Sequence, residues 1–445
     1  MKTRLQYFTD RLRTSFWFIP ALMVAGAIAL AWGTVELDRL LGDDAARPLE
    51  WAYTGGPEGA RSVLSVVAGS MITVAGVVFS ITIVALTLAS AQFGPRLLRN
   101  FIRDRGNQAV LGAFVATFVY CLLVLRTIRN DGFGNFVPGI SVIVGLLLAL
   151  CSLGVLIYFI HHVAFSIQAN QVVASVGEEL NAAIGRLFPE ELGEGPPCEP
   201  AVEADLLPAD FDGRAAAVHA GAAGYLLSID QERLMVAVRE RDAVVKLVRR
   251  AGHFVVPGDV LALIVPADRV DEGLRAAIAD AFQLGAERTA LQDVEFCVDQ
   301  LVEVAVRALS PGINDPFTAT ICVDRLAEAL CLLLRRKIPS PFRHDDDERM
   351  RVVAYPVDFA DVLDAAFNQV RQYGRGSPAV AIRLLDALLR LAERARRPAD
   401  RAAIARQALA VRRAADDAVP DELDRRAIIE RYDRVRAILE PADDR

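Results

Sequence analysis

Charge is missing from long stretches of this sequence. Residues 62–95, between Arg61 and Arg96, contain no Asp, Glu, Lys or Arg, a run longer than the ~20 residues a helix needs to cross a ~30 Å hydrocarbon core. Such a segment is read as membrane-spanning. Lysine is also scarce, with Lys2, Lys246 and Lys337 the only ones. No basic run with interleaved aromatics is present, which excludes nucleic acid as an expected partner. Cys121, Cys151, Cys198, Cys297, Cys322 and Cys331 form no CxxC pair and read as reduced, structural thiols. HExxH, GxSxG, GxxxxGK[ST] and GxGxxG are all absent, so the common hydrolase, nucleotide and dinucleotide signatures are missing. The expectation is a protein that is not an enzyme and carries no cofactor or metal.

What is present is apolar and unevenly placed. Hydrophobic residues make up 53% of the 445, with mean hydropathy +0.31 and net charge −7. Four uncharged stretches, 15–33, 62–94, 106–125 and 132–160, each suit one crossing. Lys and Arg near span ends tend to stay cytoplasmic. Lys2, Arg4, Arg11 and Arg13 precede the first span, and Arg96, Arg99, Arg103 and Arg105 crowd the link between the second and third. The link between the first and second spans instead carries Glu36, Asp38, Asp43, Asp44, Glu50 and Glu58 against Arg39, Arg47 and Arg61. This pattern predicts an α-helical membrane protein of four transmembrane helices with both termini cytoplasmic. Ala29-Leu30-Ala31 resembles a leader cleavage site, but removing that span would leave an odd number of crossings that conflicts with the basic link.

The remainder reads as a soluble α+β cytoplasmic region. The apolar pattern continues through His161 and His162 and turns amphipathic to Phe188, followed by a Pro-, Gly- and acid-rich segment from Pro189 to Pro208. The predicted domains are a transmembrane domain over 1–165, a helical stalk and linker over 166–208, a small β domain over 209–267 and a mainly helical domain over 268–445. Strands are expected at 216–219, 225–229, 243–248 and 260–265, and one more at 349–355. The stretch from Gly252 to Leu261 resembles the turn of half-barrels related to biotinyl and lipoyl domains, without their modifiable lysine.

Read every three or four residues, the second span gives Ser62, Val66, Gly69, Thr73, Gly76, Ser80, Ile83, Thr87 and Ser90, a stripe that is nearly all small or hydroxyl-bearing. Its repeat near 3.5 keeps it on one face of a supercoiled helix. Small residues allow close helix approach, and hydroxyls can replace ion hydration along a pore; both readings predict the same residue types. In a pore, Ile83 would form an apolar ring able to dewet, the acids Glu36, Asp38, Asp43, Asp44 and Glu58 an outer vestibule, and Arg96, Arg99 and Arg103 an inner basic mouth. Positive-inside topology accounts for the same asymmetry. Charge is absent within the spans, which argues against a coupled transporter.

Two further features stand in the cytoplasmic part. In Ala308 to Ala319, Asp315 is placed to cap a helix with Pro316 at its first position, and Asn314 with Asp315 could bind an ion or a polar group. The run His344 to Glu348 reads as a solvated connector.

The four spans, AQFGPRLLRNF from Ala91 to Phe101, the segments around Tyr225 and Phe254, and RALSPGINDPFTA from Arg307 to Ala319 together resemble a bacterial domain-of-unknown-function family of four-span predicted membrane proteins. That resemblance implies a membrane location and supplies no catalytic residues. The functional expectation is a homo-oligomeric channel for monovalent cations, sodium or potassium, lined by the second span, with the lipid bilayer, other copies of itself and the permeant ions as partners. The alternative is a membrane-anchored receptor or scaffold with a ligand- or partner-binding cytoplasmic domain.

Overall fold

The computed structural model describes residues 17–41, 56–94, 104–131, 134–166, 168–188, 211–355 and 357–440. Two compact units divide the chain, Met1–Gln171 and Val172–Arg445.

The first unit is built on four apolar helices, α1 (Phe18–Leu41), α2 (Pro57–Phe93), α3 (Arg105–Thr127) and α4 (Gly139–Ser166), each long and apolar enough to cross a membrane. Pro57 opens α2, and Gly94 at φ +107° closes it. Its 37 residues give a rod of about 55 Å. Asp104 caps α3, accepting from Gly106 N at 2.7 Å. Helix α3 is the most enclosed of the four. On it Val110, Phe114, Tyr120, Cys121 and Val124 are buried against the small faces of α1 and α2, with Phe159 and Val163 of α4 closing one end.

Polar ties join α1, α3 and α4. Tyr120 Oη donates to Ser141 O (3.0 Å) and lies 3.0 Å from Thr34 Oγ1, while Thr117 and Ser152 hydroxyls meet at 3.1 Å. Away from water such groups must be satisfied by the protein itself. Helix α1 runs two turns past the expected end at 33. Those turns bring Asp38 to the start of α4, where its carboxylate accepts from Ile140 N (2.9 Å), Ser141 N (3.0 Å) and Ser141 Oγ (2.6 Å). The expected fourth span also starts late. Residues after α3 form a short antiparallel hairpin, β1 (Arg129–Asp131) and β2 (Gly134–Phe136), which the uncharged composition of 132–138 concealed.

The second unit combines helices with mixed sheets. Strands β3 (Ala216–His219), β5 (Val244–Leu247), β7 (Val260–Val265), β9 (Phe342–His344) and β10 (Met350–Val353) form one sheet in the order β3-β7-β5-β10-β9. Strand β10 runs parallel to β5 and all other neighbours are antiparallel. Strands β4 (Gly224–Ile229), β6 (Phe254–Val255) and β8 (Phe282–Gly285) form a second, antiparallel sheet in the order β6-β4-β8. Residues 209–267 thus share their sheets with strands from 282–285 and 342–353. Strand spacing in a sequence carries no information on such distant pairing.

Among the described residues eight further helices of two turns or more fill out this unit: α6 (Gln231–Glu240), α7 (Glu272–Ala279), α8 (Val294–Ala308), α9 (Pro316–Leu334), α10 (Phe359–Tyr373), α11 (Pro378–Ala392), α12 (Pro398–Ala418) and α13 (Glu422–Leu439). Before them comes α5 (Ala169–Leu187). Its apolar stripe Val172, Val176, Leu180, Ala183 and Ile184 is buried. Asn181 Nδ2 donates to Glu328 Oε1 (3.2 Å) and Arg186 donates to Ala290 O (2.5 Å). The segment expected as a stalk is therefore packed into the second unit from Val172 onward. The expected linker over 189–208 lies outside the described residues.

Buried Asp293 shows how sheet and helices lock together. It caps α8 by accepting from Phe296 N (3.2 Å), takes two bonds from Arg288 (2.7 and 3.1 Å), and leaves no room for a Cβ at Gly252, whose φ is +93°. The acidic run at 344–348 is likewise structural. It turns β9 into β10, and buried Arg351 donates from Nε to Asp345 (2.7 Å) and from a terminal nitrogen to Asp242 (2.8 Å).

Hydrogen bonds from Arg351 hold both carboxylates below their usual range. The unfolded chain then binds more protons than the folded one at mildly acidic pH, so this contribution is complete above the ordinary carboxylate range and fades as pH falls through the depressed values. Arg351→Gln should lower the thermal unfolding midpoint of detergent-solubilised protein at about pH 6, and the gap from wild type should shrink towards about pH 3. A gap that stays constant or widens on acidification would rule the linkage out.

Candidate functional site: the outward face of the second helix

The two faces of α2 differ in size and in use. Ala60, Leu64, Ala68, Ala75, Val78, Ala85 and Ala89 recur at helical spacing and are buried, the first three in one core with α1 and α3 and the next three in another with α3 and α4. This ridge is the seam by which the helix packs within the chain. The stripe expected from the sequence lies elsewhere on the helix. Ser62, Val66, Gly69, Thr73, Gly76, Ser80, Ile83 and Thr87 are exposed, and Ser90 is half-buried.

The stripe makes no close packing contact at its glycines. A Cβ built at Gly69 or Gly76 meets nothing within 4 Å. Three of its hydroxyls donate to the carbonyl one turn back: Thr73 to Gly69 (2.8 Å), Ser80 to Gly76 (2.9 Å) and Thr87 to Ile83 (2.9 Å). The donors are satisfied inside the helix, and each oxygen keeps acceptor capacity. Ile83 is 45% exposed among them. Beside the stripe α2 also exposes Ile72, Val77, Phe79, Ile81, Val84 and Leu88, and α4 exposes Leu147, Leu150, Leu153, Ile157 and Ile160, large apolar side chains of the kind that suit lipid.

At one end of the unit, Glu36 pairs with Arg39 (3.2 Å) in exposed positions, and Glu58 is exposed in the first turn of α2. Arg61 donates to Ile128 O (2.9 Å), closing a carbonyl at the end of α3. Asp38 corrects the vestibule expectation: only 7% exposed, it spends its carboxylate on the start of α4 instead of facing an aqueous mouth. Asp43, Asp44, Arg96, Arg99 and Arg103 lie outside the described residues.

The opposite end holds a pair that sequence reading missed. His162 Nε2 donates to Asp104 Oδ2 at 2.6 Å, with Tyr158 stacked on the imidazole. The signal available was Asp104 just ahead of an uncharged run, the placement of a helix cap. His161 lies against Phe165 instead, with ring centroids 4.6 Å apart.

The turn at Asn314 and Asp315 sits in the second unit. Asn314 has φ +50°, and Asp315 accepts from Thr318 N (3.1 Å) and Oγ1 (2.5 Å). Those bonds hold the Asp315 carboxyl below its usual range. Both its oxygens are engaged in starting α9, so the described geometry is that of a helix cap.

Glycines on the two sorts of face should respond oppositely to enlargement. Gly76→Leu should leave the solubilised protomer folded with an unfolding midpoint close to wild type. Gly112→Leu should abolish folding, because a Cβ at Gly112 already sits 2.6 Å from Met23 Sδ and 3.1 Å from Pro20 Cα. Thermal unfolding and size-exclusion chromatography of both variants check this, and unfolding of the Gly76 variant would contradict the outward assignment.

Comparison with known proteins places the chain. Residues 13–390 match the model of a family described as predicted membrane protein, DUF2254. An uncharacterised protein of Mycobacterium tuberculosis and one of Mycobacterium bovis are each 33% identical to it over 453 aligned positions, covering 99% of this chain and 84% of the relative. No solved structure matches it. With four membrane-crossing helices and a match over most of its length, the chain belongs to the DUF2254 family of predicted membrane proteins.

Proposed function

We propose that the protein is a homo-oligomeric ion channel of the bacterial inner membrane, acting without chemical turnover, in which α2 from several copies lines a central path for monovalent cations. One observation carries this reading: the small, hydroxyl-bearing face of α2 is exposed in the protomer while a separate alanine-rich ridge supplies its packing. A face of this kind suits either close approach of copies or a row of oxygen ligands, and a ring of α2 helices provides both at once. Hydroxyl oxygens with their donors already satisfied offer lone pairs to a weakly hydrated cation. Ile83 breaks the hydroxyl row and would form the narrow apolar ring at which the path dewets. Glu36 and Glu58 would stand at the outer end, with the second unit on the cytoplasmic side as the positive-inside pattern directs.

The receptor reading is favoured by a different observation, a basic cavity in the second unit described below. It is compatible with a channel whose opening responds to a ligand.

Passive sodium, potassium and chloride flux into liposomes containing purified protein tests the proposal. Ile83→Ala should raise cation flux several-fold and Ile83→Trp should suppress it, with chloride unaffected. Absence of flux from folded, oligomeric wild type and Ile83→Ala protein alike would overturn it and leave the receptor reading.

A further inference from the structure

A cavity of about 370 Å³ opens in the second unit between the end of α5, the loop after β5, the start of α8 and the segments flanking β9 and β10. Arg186, Arg249, Arg250 and Arg343 stand in its wall, and among the described residues none that line it is acidic. The rest is largely apolar or aromatic, including Phe188, Leu247 and Tyr355. A chain with net charge −7 has thus gathered four guanidinium groups around one hollow.

Their partners show how much of this charge is balanced. Arg250 pairs with Glu295 at 2.8 Å and lies 5.6 Å above the Tyr355 ring, and Arg249 comes no nearer than 3.9 Å to Asp259. The Nε atoms of Arg249 and Arg250 are both buried with no hydrogen-bond partner. Arg186 donates to the carbonyls of Ala290 (2.5 Å) and Leu291 (3.5 Å), and Arg343 to those of Ser340 and Phe342 (3.2 Å). Among the described residues neither Arg186 nor Arg343 has a carboxylate partner. Burial pulls the Arg343 guanidinium below the ordinary arginine range, as expected of a desolvated charge held by carbonyls and no counter-charge.

We infer that this cavity is a binding site for a phosphate-bearing organic anion of about nucleotide size. Among the described residues two of the four arginines have acids nearby and two do not, which leaves about two positive charges without a matching acid there. A phosphate monoester carries about −1.5 to −2 at neutral pH, and guanidinium forks bind its oxygens in pairs. The apolar and aromatic part of the wall calls for an organic body attached to the phosphate. The volume falls at the lower end of the ~300–1,000 Å³ range of small-molecule sites. The site is confined to the second unit and stands whether or not the first unit conducts ions.

Calorimetric titration of the full-length protein in detergent tests this with AMP, ribose 5-phosphate, inorganic phosphate and adenosine as probes. At least one of the two organic phosphates should bind, with inorganic phosphate and adenosine at least tenfold weaker. Arg186→Gln and Arg343→Gln should each weaken that binding at least tenfold, while Arg426→Gln, at an exposed pair with Glu422, should leave it unchanged. Should Arg343→Gln fail to fold, Arg343→Lys keeps the charge, loses the fork, and should still bind more weakly than wild type. No heat and no thermal stabilisation from either organic phosphate at millimolar concentration would overturn the inference. So would adenosine binding as tightly as AMP, or affinity unchanged in Arg186→Gln.

Discussion

Packing of the small-residue ridge of α2 against α3 is the constraint from which the rest of the membrane unit follows. Ala60, Ala68, Ala75 and Ala85 let the two backbones come close, and Leu64 and Val78 fill what remains. In hydrocarbon no solvent-driven force brings helices together, so fit of this kind and internal hydrogen bonds must do so. Once the ridge is seated, the rotation of α2 is set. Every position half a turn away, including Gly69, Thr73, Gly76, Ser80 and Ile83, must then point away from its own bundle. Asp38 reinforces the arrangement at one end by holding α4 to α1, and Tyr120 ties α3 to both.

The second unit solves a different problem, that of joining sheets and helices that are distant in sequence. Aspartates do much of this. Asp230, Asp271, Asp293, Asp315, Asp358 and Asp421 each cap a helix, satisfying amides that would otherwise lack partners. Asp293 also receives Arg288 and abuts Gly252, so one carboxylate joins helix start, loop and turn. Against this use of aspartate at helix starts, the arginines around the α5–β5–β9 cavity face no carboxylate across it among the described residues. If the cavity takes a ligand, Arg186 on α5 and Arg343 on β9 are pulled toward one anion, a means by which binding could alter the packing of this unit.

Much of the fold was legible because it rests on local patterns. Uncharged runs mark the four long apolar helices, short β-like runs bounded by turn residues mark β3, β4, β5 and β7, and Asp315-Pro316 marks the start of α9 with the right cap. Failures fell where composition and structure part company. The hairpin at 129–136 hides in uncharged residues that resemble a span. Asp38 looks like a loop acid unless its partner, the start of α4 roughly a hundred residues later, is known. Helix α5 reads as a stalk because its apolar stripe is visible while the surface it meets is not. The stripe on α2 is legible as a repeat, but periodicity cannot tell which face of a helix packs; burial of the opposite alanines supplies that distinction. The arginine cavity left no local signature, since Arg186, Arg250 and Arg343 come from three separate segments.

The most direct test of the central claim, that the stripe borders a water path, is the reaction of substituted cysteines with a charged, membrane-impermeant thiol reagent. It would be run in membranes, with the native cysteines replaced. Thr73→Cys, Ser80→Cys and Thr87→Cys should be modified within minutes, while Leu150→Cys and Leu153→Cys on the apolar face of α4 should stay unmodified. Stripe cysteines as unreactive as those on α4, in protein shown to be folded, would contradict the account and assign that face of α2 to lipid or to dry contact between copies.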